Sequence, residues 1–328
     1  MLTLPAYTWV RPDSLEALLA HLAEHADSSL MVAGGTDAVP NLKHRLHEPQ
    51  TVVHLSGLRD LRFIRESEAG LDLGALTTLA EIAAHDGIRR SAPSLARAAG
   101  LVASPQIRNM GTIGGNLCLD TRCTYYNQTF FWREALGFCL KKDGTRCHVV
   151  TSGKRCVAAH SSDVAPVLIT LEADVEIASP RGRRTIPVEE FFVPDGIHNN
   201  VLAKDEVVVR IHVPARSLGL ATGYRKLRPR GAIDFPMLSV AFAARVAGGV
   251  CENARLVVSA IAAKPRTITG ASDAVKGRPL DAAAAETLGA LAHRQCQPLI
   301  NVPYDQDYRR AMVPVFVKRA VLDAAGGS

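Results

Sequence analysis

Four cysteines crowd into one short segment of the 328-residue chain, and this crowding restricts the fold more than any other feature of the sequence. Chance scattering of the seven cysteines would leave fewer than one in that window, which instead contains Cys123, Cys139, Cys147 and Cys156. A glycine-rich turn at residues 111–116 comes shortly before it. The rest of the chain must therefore fold in a way that holds these four thiols.

The cysteine spacing leaves several explanations open. A disulfide scaffold is disfavoured because no signal peptide is recognised and a chain of this size can build a core without crosslinks. Structural zinc usually takes cysteines in pairs about two to four residues apart, whereas the spacing here is C-x15-C-x7-C-x8-C. Four unrelated buried thiols remain the simplest alternative, since free cysteine packs as a small hydrophobe.

The charge pattern of the same segment favours an anionic metal centre. Its local excess is +5, nearly all of the +6 of the whole chain, from two acids (Glu134, Asp143) and seven bases: Arg122, Arg133, Lys141, Lys142, Arg146, Lys154 and Arg155. Four thiolates around iron and sulfide carry negative charge that nearby cations stabilise. A nucleic-acid binder would instead show a contiguous basic helix or strand. We expect the basic patch to face an acidic electron carrier.

Aromatic residues are also concentrated here. Six of the 17 in the chain lie in this segment, namely Tyr125, Tyr126, Phe130, Phe131, Trp132 and Phe138. They form either an apolar wrap that limits solvent at a cluster or the small core that any long loop needs.

Length and composition bound the class of protein. At 328 residues and 47% apolar content the chain can bury more than one core, so we expect more than one domain. No apolar run reaches the ~18 residues of a membrane helix, and the N-terminus lacks the basic and apolar regions of a signal peptide. These features predict a cytoplasmic protein with neither a membrane nor a nucleic-acid partner.

The first 56 residues predict a small α/β unit. A capping sequence at Ser14 and leucines at helical spacing predict a helix over 14–25, followed by a strand at 30–33, a Gly-Gly-Thr-Asp turn at 34–37, a helical stretch through Leu42 and Leu46, and a strand at 51–55. A glycine turn after a strand is typical of anion sites, although neither dinucleotide nor P-loop fingerprints match. Two such turns, at 34–37 and 111–116, could grip one diphosphate.

The chain after Cys156 has ordinary patterns. A short helix capped by Asp163 is predicted, then strands at 175–177 and 206–213, and a domain boundary at 214–223. Strands at 235–245 and 254–262 and helices at 281–294 and 304–325 predict a separate α+β domain.

Taken together, these residues resemble the FAD-binding medium (beta) subunits of the molybdenum hydroxylase family, which includes xanthine dehydrogenase and carbon monoxide dehydrogenase. Four segments carry the resemblance in the family's order: Val32-Ala-Gly-Gly-Thr-Asp37, Asn109-Met-Gly-Thr-Ile-Gly-Gly-Asn116, Ser162-Asp-Val-Ala-Pro166 and Tyr224-Arg-Lys-Leu-Arg228. The resemblance implies an α+β fold, with a two-lobed FAD-binding domain of the xanthine dehydrogenase and vanillyl-alcohol oxidase type at 1–216. Its lobes would be 1–56 and 57–216, with an iron–sulfur loop inserted at 119–160. A C-terminal domain of the CO dehydrogenase flavoprotein type, an antiparallel sheet plus helices, would occupy 217–328.

Most medium subunits of this kind lack a cysteine-bearing insertion. The cysteine order and spacing here are similar to those of the beta subunit of 4-hydroxybenzoyl-CoA reductase, whose loop binds a 4Fe-4S cluster. This resemblance implies Cys123, Cys139, Cys147 and Cys156 as cluster ligands and leaves Cys118 out. It also implies flavin contacts from two turns and three further positions: Val32, Ala33, Gly34, Gly35, Thr36, Asp37, Thr112, Ile113, Gly114, Gly115, Asn116, Asp163, Val208 and Lys226.

The function implied by the resemblance is electron transfer within a larger molybdoenzyme. FAD and a 4Fe-4S cluster would sit on this chain, while a large subunit with a molybdopterin-type molybdenum cofactor and a small subunit with 2Fe-2S clusters would complete a dimer of heterotrimers. Electrons from a ferredoxin-type carrier would serve the reductive dehydroxylation of 4-hydroxybenzoyl-CoA. The alternatives are oxidation of an N-heterocycle, aldehyde or other acyl-CoA, and, more remotely, a zinc-bearing nucleic-acid-binding protein.

Overall fold

The computed structural model describes residues 2–326, and within them the chain forms three β-sheets. The first is a parallel sheet of three strands in the order β1-β3-β2, with β1 at Thr8–Val10, β2 at Ser29–Val32 and β3 at Thr51–His54. Helix α1, Leu15–His25, begins where the Ser14 hydroxyl accepts the Ala17 N–H at 3.1 Å. It buries Leu18 and Leu22, and α2, Ala38–Lys43, follows the first glycine turn.

The second sheet has five antiparallel strands in the order β4-β5-β8-β6-β7. Its strands are β4 Ile64–Ser67, β5 Gly70–Gly74, β6 Asp174–Ser179, β7 Gly182–Pro187 and β8 Val207–Pro214. Seven helices accompany it: α3 Leu79–Ala84, α4 Asp86–Ser91, α5 Pro93–Gly100, α6 Pro105–Met110, α7 Ile113–Leu117, α9 Val164–Thr170 and α10 Val188–Phe191. Helices α7 and α9 contribute to one apolar core with strands of this sheet. This packing fixes the position of the second glycine stretch, which overlaps the start of α7.

The cysteine segment leaves this lobe between α7 and α9 and returns to the same point. Arg122 and Ala159 exchange backbone hydrogen bonds of 2.8 and 2.7 Å, which close the base of the segment. One short helix, α8 at Phe130–Ala135, lies inside it.

The third sheet is antiparallel, in the order β12-β11-β10-β9, and belongs to the C-terminal part of the chain. Its strands are β9 Ala221–Leu227, β10 Leu238–Ala247, β11 Val250–Ser259 and β12 Arg266–Thr267, and its helices are α11 Ala271–Val275, α12 Ala282–Gln295 and α13 Gln306–Ala324. Helix α13 lies so close to β9 that a Cβ on Gly223 would stand 1.9 Å from the Ala320 carbonyl oxygen. Four single turns of 3-10 helix complete the described chain: Ala26–Ser28, Leu55–Gly57, Arg59–Leu61 and Ala215–Ser217.

The mixed helix-and-sheet fold and the C-terminal antiparallel sheet domain agree with the sequence prediction. Within residues 2–326, none of the helices combines the length and apolar content that a membrane span requires. Helix α1, strands β2, β3, β6 and β8, and helices α12 and α13 lie within a few residues of their predicted positions. Strands β4, β5 and β7 and helices α3 to α6 were not predicted, and β9 begins inside the expected boundary at 214–223.

One buried histidine lies where the first domain meets the third sheet. The His160 ring is fully buried, stands edge-on to Phe192 with ring centroids 4.6 Å apart, and has Nδ1 3.2 Å from the Ser259 hydroxyl. Burial lowers the pKa of His160 from its ordinary value of 6.5 to about 3.

We predict that this histidine makes the fold acid-sensitive. Between pH 6.5 and about 3, His160 is protonated in the unfolded chain and neutral in the folded chain. Acid therefore favours the unfolded state, and the free energy of unfolding falls by about 1.4 kcal/mol for each pH unit of decrease in this range. Urea titrations between pH 7 and 4 should show a shallower pH slope for His160→Asn than for wild type. The exposed control His198→Asn should keep the wild-type slope, and an unchanged slope for His160→Asn would contradict the assignment.

Candidate functional site

Two glycine turns from different lobes meet in direct backbone contact. A Cβ on Gly34 would stand 1.9 Å from the Met110 carbonyl oxygen, and that residue ends α6 just before the second turn. Gly35 has a φ of +70°, a conformation that other residues adopt at a cost. The second glycine stretch was predicted as a turn, but most of it is the start of helix α7: Thr112 is the N-cap residue, and its hydroxyl accepts the Gly115 N–H at 3.0 Å. Glycine is therefore required for the two lobes to close on one another.

The turns line a single cleft of about 560 Å³, within the range of about 300–1,000 Å³ that is typical of ligand pockets. Ten of the residues predicted to contact flavin are among its walls: Val32, Ala33, Gly34, Gly35, Thr36, Asp37, Thr112, Gly115, Asn116 and Asp163. The walls also include residues that sequence reasoning missed, among them Asn41, Arg122, Ser161, Ile233 and Phe235. The residues fit an elongated ligand that carries an anionic group between glycine turns.

Four other residues predicted to contact flavin are not among the walls of this cleft. Ile113 and Val208 lie in the apolar core of the second lobe, and Gly114 packs against Ala75, where a Cβ would stand 2.8 Å from the carbonyl oxygen. Lys226 is buried behind the wall, with Nζ 2.8 Å from Asp163 Oδ2. These four support the cleft from outside in this structure.

Asp163 was predicted to cap a helix, but its side chain lines the cleft instead. It stands at the N-cap position of α9 but its side chain makes no cap bond. Instead it accepts the Tyr224 hydroxyl at 2.6 Å and the Lys226 ammonium at 2.8 Å. Burial raises the pKa of Asp163 while Lys226 and Tyr224 oppose the rise. The resulting buried network joins the cleft between the glycine turns to strand β9 of the C-terminal domain.

Arg122 connects the cysteine segment with the first glycine turn. Its guanidinium forms an ion pair with Asp37 and lies 4.1 Å above the Phe235 ring. Its Nη1 is 3.4 Å from Asn41 Oδ1. Burial lowers the pKa of Arg122 to about 10, so the group remains charged at neutral pH.

The four clustered thiols line one small pocket of their own. Cys123, Cys139, Cys147 and Cys156 are all buried, and Tyr125, Tyr126, Lys141 and His148 share the pocket walls. Among the described residues, no three His, Cys, Asp or Glu side chains converge closely enough to hold a single metal ion. Cysteine thiolates are the usual ligands of iron–sulfur clusters, so these four residues would be the ones to hold such a group.

Backbone donors point at two of these sulfurs. The Val150 N–H lies 3.4 Å from Cys147 Sγ, and the Ala158 N–H lies 3.4 Å from Cys156 Sγ. Burial raises the pKa of Cys123 to about 12 and that of Cys156 to about 11. Both are neutral thiols at pH 7 unless a metal replaces the proton.

The cations of the cysteine segment are distributed differently from the prediction of one basic surface patch. Lys141 is buried, with Nζ 2.6 Å from Asp120 Oδ1 and 4.2 Å from the Tyr126 ring centroid. Arg133 is also buried and donates to the carbonyls of His44 and Arg45 at 3.0 and 3.1 Å. With Arg122, three of the seven cations are internal. The exposed ones are Arg146, Lys154 and Arg155, with Lys142 half-buried.

Asp120 shows how strongly the segment is held. Burial alone would raise the pKa of this carboxyl, but Lys141 and His47 outweigh burial and lower the pKa to about 2. The C-terminal domain adds Asn301, whose carbonyl accepts the Thr124 N–H at 2.8 Å and whose side chain donates to the Val157 carbonyl at 2.5 Å. Both flanks of the thiol pocket are therefore fixed from outside the segment.

A second, larger cleft of about 840 Å³ lies elsewhere and contains neither glycine turn nor cysteine. Its charged walls are already paired in part, since Glu176 accepts both Arg183 and Arg210 at 2.8 and 2.7 Å. The smaller cleft is the candidate functional site because the backbone contact of the glycine turns and the buried carboxylate network are found there.

The fold and the cleft fit a FAD-binding subunit, and the family models identify the same class. A family model described as the FAD binding domain in molybdopterin dehydrogenase matches residues 5–216, and one described as the CO dehydrogenase flavoprotein C-terminal domain matches residues 223–324. The chain therefore belongs to the family of FAD-binding medium subunits of molybdenum hydroxylase-type oxidoreductases.

Individual relatives are similar to this chain over most of its length. The chain is 32% identical to the aldehyde oxidoreductase FAD-binding subunit PaoB of Escherichia coli strain K12 over 298 residues, which is 88% of this chain and 91% of that one. It is 27% identical to the carbon monoxide dehydrogenase medium chain of Hydrogenophaga pseudoflava, over 97% and 96% of the two chains. The solved structure of carbon monoxide dehydrogenase from that organism, lacking the Mo-pyranopterin moiety, superposes with a TM-score of 0.79 at 27% identity, covering 99% and 98%.

We predict that the glycine turns control flavin content. In Gly115→Val the new Cβ would stand 3.0 Å from Thr112 Oγ1 and 4.0 Å from Ala33 Cβ, so its branches would enter the cleft. In Gly34→Ala the new Cβ would overlap the Met110 carbonyl and separate the turns. Both variants should be purified with much less FAD, measured as absorbance in the supernatant after acid precipitation, which also tests that the flavin is not covalently attached.

The matched control is Gly231→Ala, because that glycine has open space where a Cβ would be. It should retain wild-type flavin content. Wild-type flavin in Gly34→Ala and Gly115→Val would remove these turns from the flavin site.

Proposed function

We propose that this chain is the FAD and 4Fe-4S electron-transfer subunit of a molybdenum-dependent oxidoreductase. The observation that carries the proposal is that a single segment joins two sites, since Arg122 reaches the flavin-type cleft while the adjacent Cys123 lines the thiol pocket. Bound FAD would supply a junction between one-electron and two-electron chemistry. The protein's part is to hold both groups at a fixed separation and keep them from solvent.

The contacts of the four cysteines support cluster binding over the alternatives. Zinc would require four ligands around one ion, and the described residues contain no such group. All seven cysteines are free, so no disulfide scaffold forms among them. The buried ammonium of Lys141 would stabilise thiolate charge, as would the backbone N–H groups of Val150 and Ala158, which donate to Cys147 Sγ and Cys156 Sγ.

The substrate proposal is reductive dehydroxylation of 4-hydroxybenzoyl-CoA, with partner subunits that bind the molybdenum cofactor and the 2Fe-2S clusters in a dimer of heterotrimers. What supports it is the cysteine spacing, together with the buried placement of all four thiols. Oxidation of an N-heterocycle, aldehyde or other acyl-CoA is the alternative, because substrate is chosen on another chain. The two are distinguished by assaying the complex with a reduced carrier and 4-hydroxybenzoyl-CoA, and then with an electron acceptor and each oxidisable substrate. We place the complex in the cytoplasm, where free thiols persist.

We predict that the four pocket cysteines hold about four irons and four sulfides per chain. Changing Cys123, Cys139, Cys147 or Cys156 to Ser should abolish the cluster because a hydroxyl is a poor substitute for thiolate on iron. Iron and acid-labile sulfide analysis measures the loss. The matched controls are Ser variants of Cys118, Cys251 and Cys296, which lie outside the pocket.

The controls should keep full iron and sulfide. Full iron in Cys139→Ser would show that the ligand assignment is wrong, and wild-type chain without iron would reject the cluster itself.

A second prediction concerns the external electron carrier, which we propose is an acidic ferredoxin-type protein. The exposed Arg146, Lys154 and Arg155 lie in the cysteine segment, so reversing all three to Glu should slow reduction by the carrier about tenfold at low salt, through its association rate. Reduction by a small uncharged donor should change little with the triple reversal or with salt. Stopped-flow traces at several salt concentrations measure both reactions.

The matched control is Arg97→Glu, an exposed arginine on α5. It should leave carrier kinetics unchanged. If the rate of reduction by the carrier depended neither on salt nor on the triple reversal, there would be no electrostatic support for electron entry at this segment.

A further inference from the structure

The walls of the flavin-type cleft contain an uneven set of charges. Four carboxylates are among them, from Asp37, Asp120, Asp163 and Asp234. Among the described residues lining this cleft, Arg122 contributes the one Lys or Arg side chain. A dinucleotide brings two further negative charges in its diphosphate, which carboxylates repel. A cation within the cleft would offset this repulsion and assist the backbone donors of the glycine turns.

The other three carboxylates are each already paired with a cation. Lys141 lies 2.6 Å from Asp120, Lys226 lies 2.8 Å from Asp163, and Arg230 lies 2.5 Å from Asp234. Those cations are not among the residues that line the cleft. Arg122 differs because it lines the cleft itself while it pairs with Asp37.

The guanidinium of Arg122 has donors to spare. A guanidinium has five N–H groups. In Arg122, Nη2 forms the ion pair with Asp37, and Nη1 lies 3.4 Å from Asn41 Oδ1. Its Nε is buried and has no hydrogen-bond partner among residues 2–326. A buried donor without a partner is costly unless a ligand completes it. The Phe235 ring, 4.1 Å from the guanidinium carbon, holds the planar group in orientation.

We infer that Arg122 is a flavin-binding residue supplied by the cysteine segment, and that its guanidinium donates to the diphosphate of FAD beside the first glycine turn. Asp37 positions the guanidinium, and Arg122 in turn neutralises Asp37 where the diphosphate approaches. Arginine suits this role because its fork can bind a carboxylate and a phosphate oxygen at once. The inference depends on flavin binding and is independent of the proposed cluster.

The test compares two flavins on the flavin-free full chain. FAD carries the diphosphate and riboflavin carries no phosphate, so a diphosphate contact affects only the first. Arg122→Gln should weaken FAD binding about tenfold or more, as expected for loss of a hydrogen bond to a charged group, and should leave riboflavin binding unchanged. Fluorescence titration gives both dissociation constants. Arg122→Lys should recover part of the FAD affinity, because the charge returns without the fork.

Arg155→Gln is the matched control, an exposed arginine of the same segment, and should bind both flavins as wild type does. Unchanged FAD affinity in Arg122→Gln would overturn the inference, and so would equal weakening of FAD and riboflavin, which would show a merely structural role. Iron analysis of the same samples separates the two proposals. Weakened FAD binding in a chain without iron would leave this inference standing while the cluster proposal fails.

Discussion

The backbone contact between Gly34 and Met110 is the constraint on which the cofactor cleft depends. A single methyl group at Gly34 would overlap the Met110 carbonyl, so the two lobes can close only with glycine there. Closure brings a turn that follows a parallel strand against a turn that follows α6. Each lobe alone offers a few backbone donors, and together they form the walls of one cleft. Asp163 from the N-terminus of α9 and Arg122 from the cysteine segment complete these walls.

The cysteine segment is long but firmly held, and charge inside the protein holds it. Arg133 reaches the carbonyls of His44 and Arg45 in the first lobe, and Lys141 ties the middle of the segment to Asp120 at its base. Buried ion pairs of this kind cost desolvation energy and are rarely a net source of stability. Their value here is geometric, since they fix the positions of the thiols and of the adjacent cleft wall.

Local patterns predicted the elements whose burial follows a simple period. Helix α1 was predicted because Leu18 and Leu22 recur at helical spacing and are both buried. Strand β7 was missed because most of its residues are exposed, Arg183 among them, and its apolar and polar residues do not alternate clearly. Strand β9 was missed because Gly223 suggested a boundary, whereas the glycine admits the backbone of α13. The first glycine turn was predicted from its composition, whereas most of the second glycine stretch is the start of helix α7. The ion pairs of Arg122 with Asp37 and of Lys141 with Asp120 were missed because each joins residues that are distant in the sequence.

The internal placement of cations changes how the basic excess of this segment is understood. A surface patch would act on diffusing partners and weaken with salt. Arg122, Arg133 and Lys141 instead act over a few ångströms in a region of low dielectric, where one charge has a larger effect. One of these cations lines the flavin-type cleft and another lines the thiol pocket. Each anionic group that the chain is proposed to hold would thus have its own counter-charge, and the exposed Arg146, Lys154 and Arg155 remain for a partner.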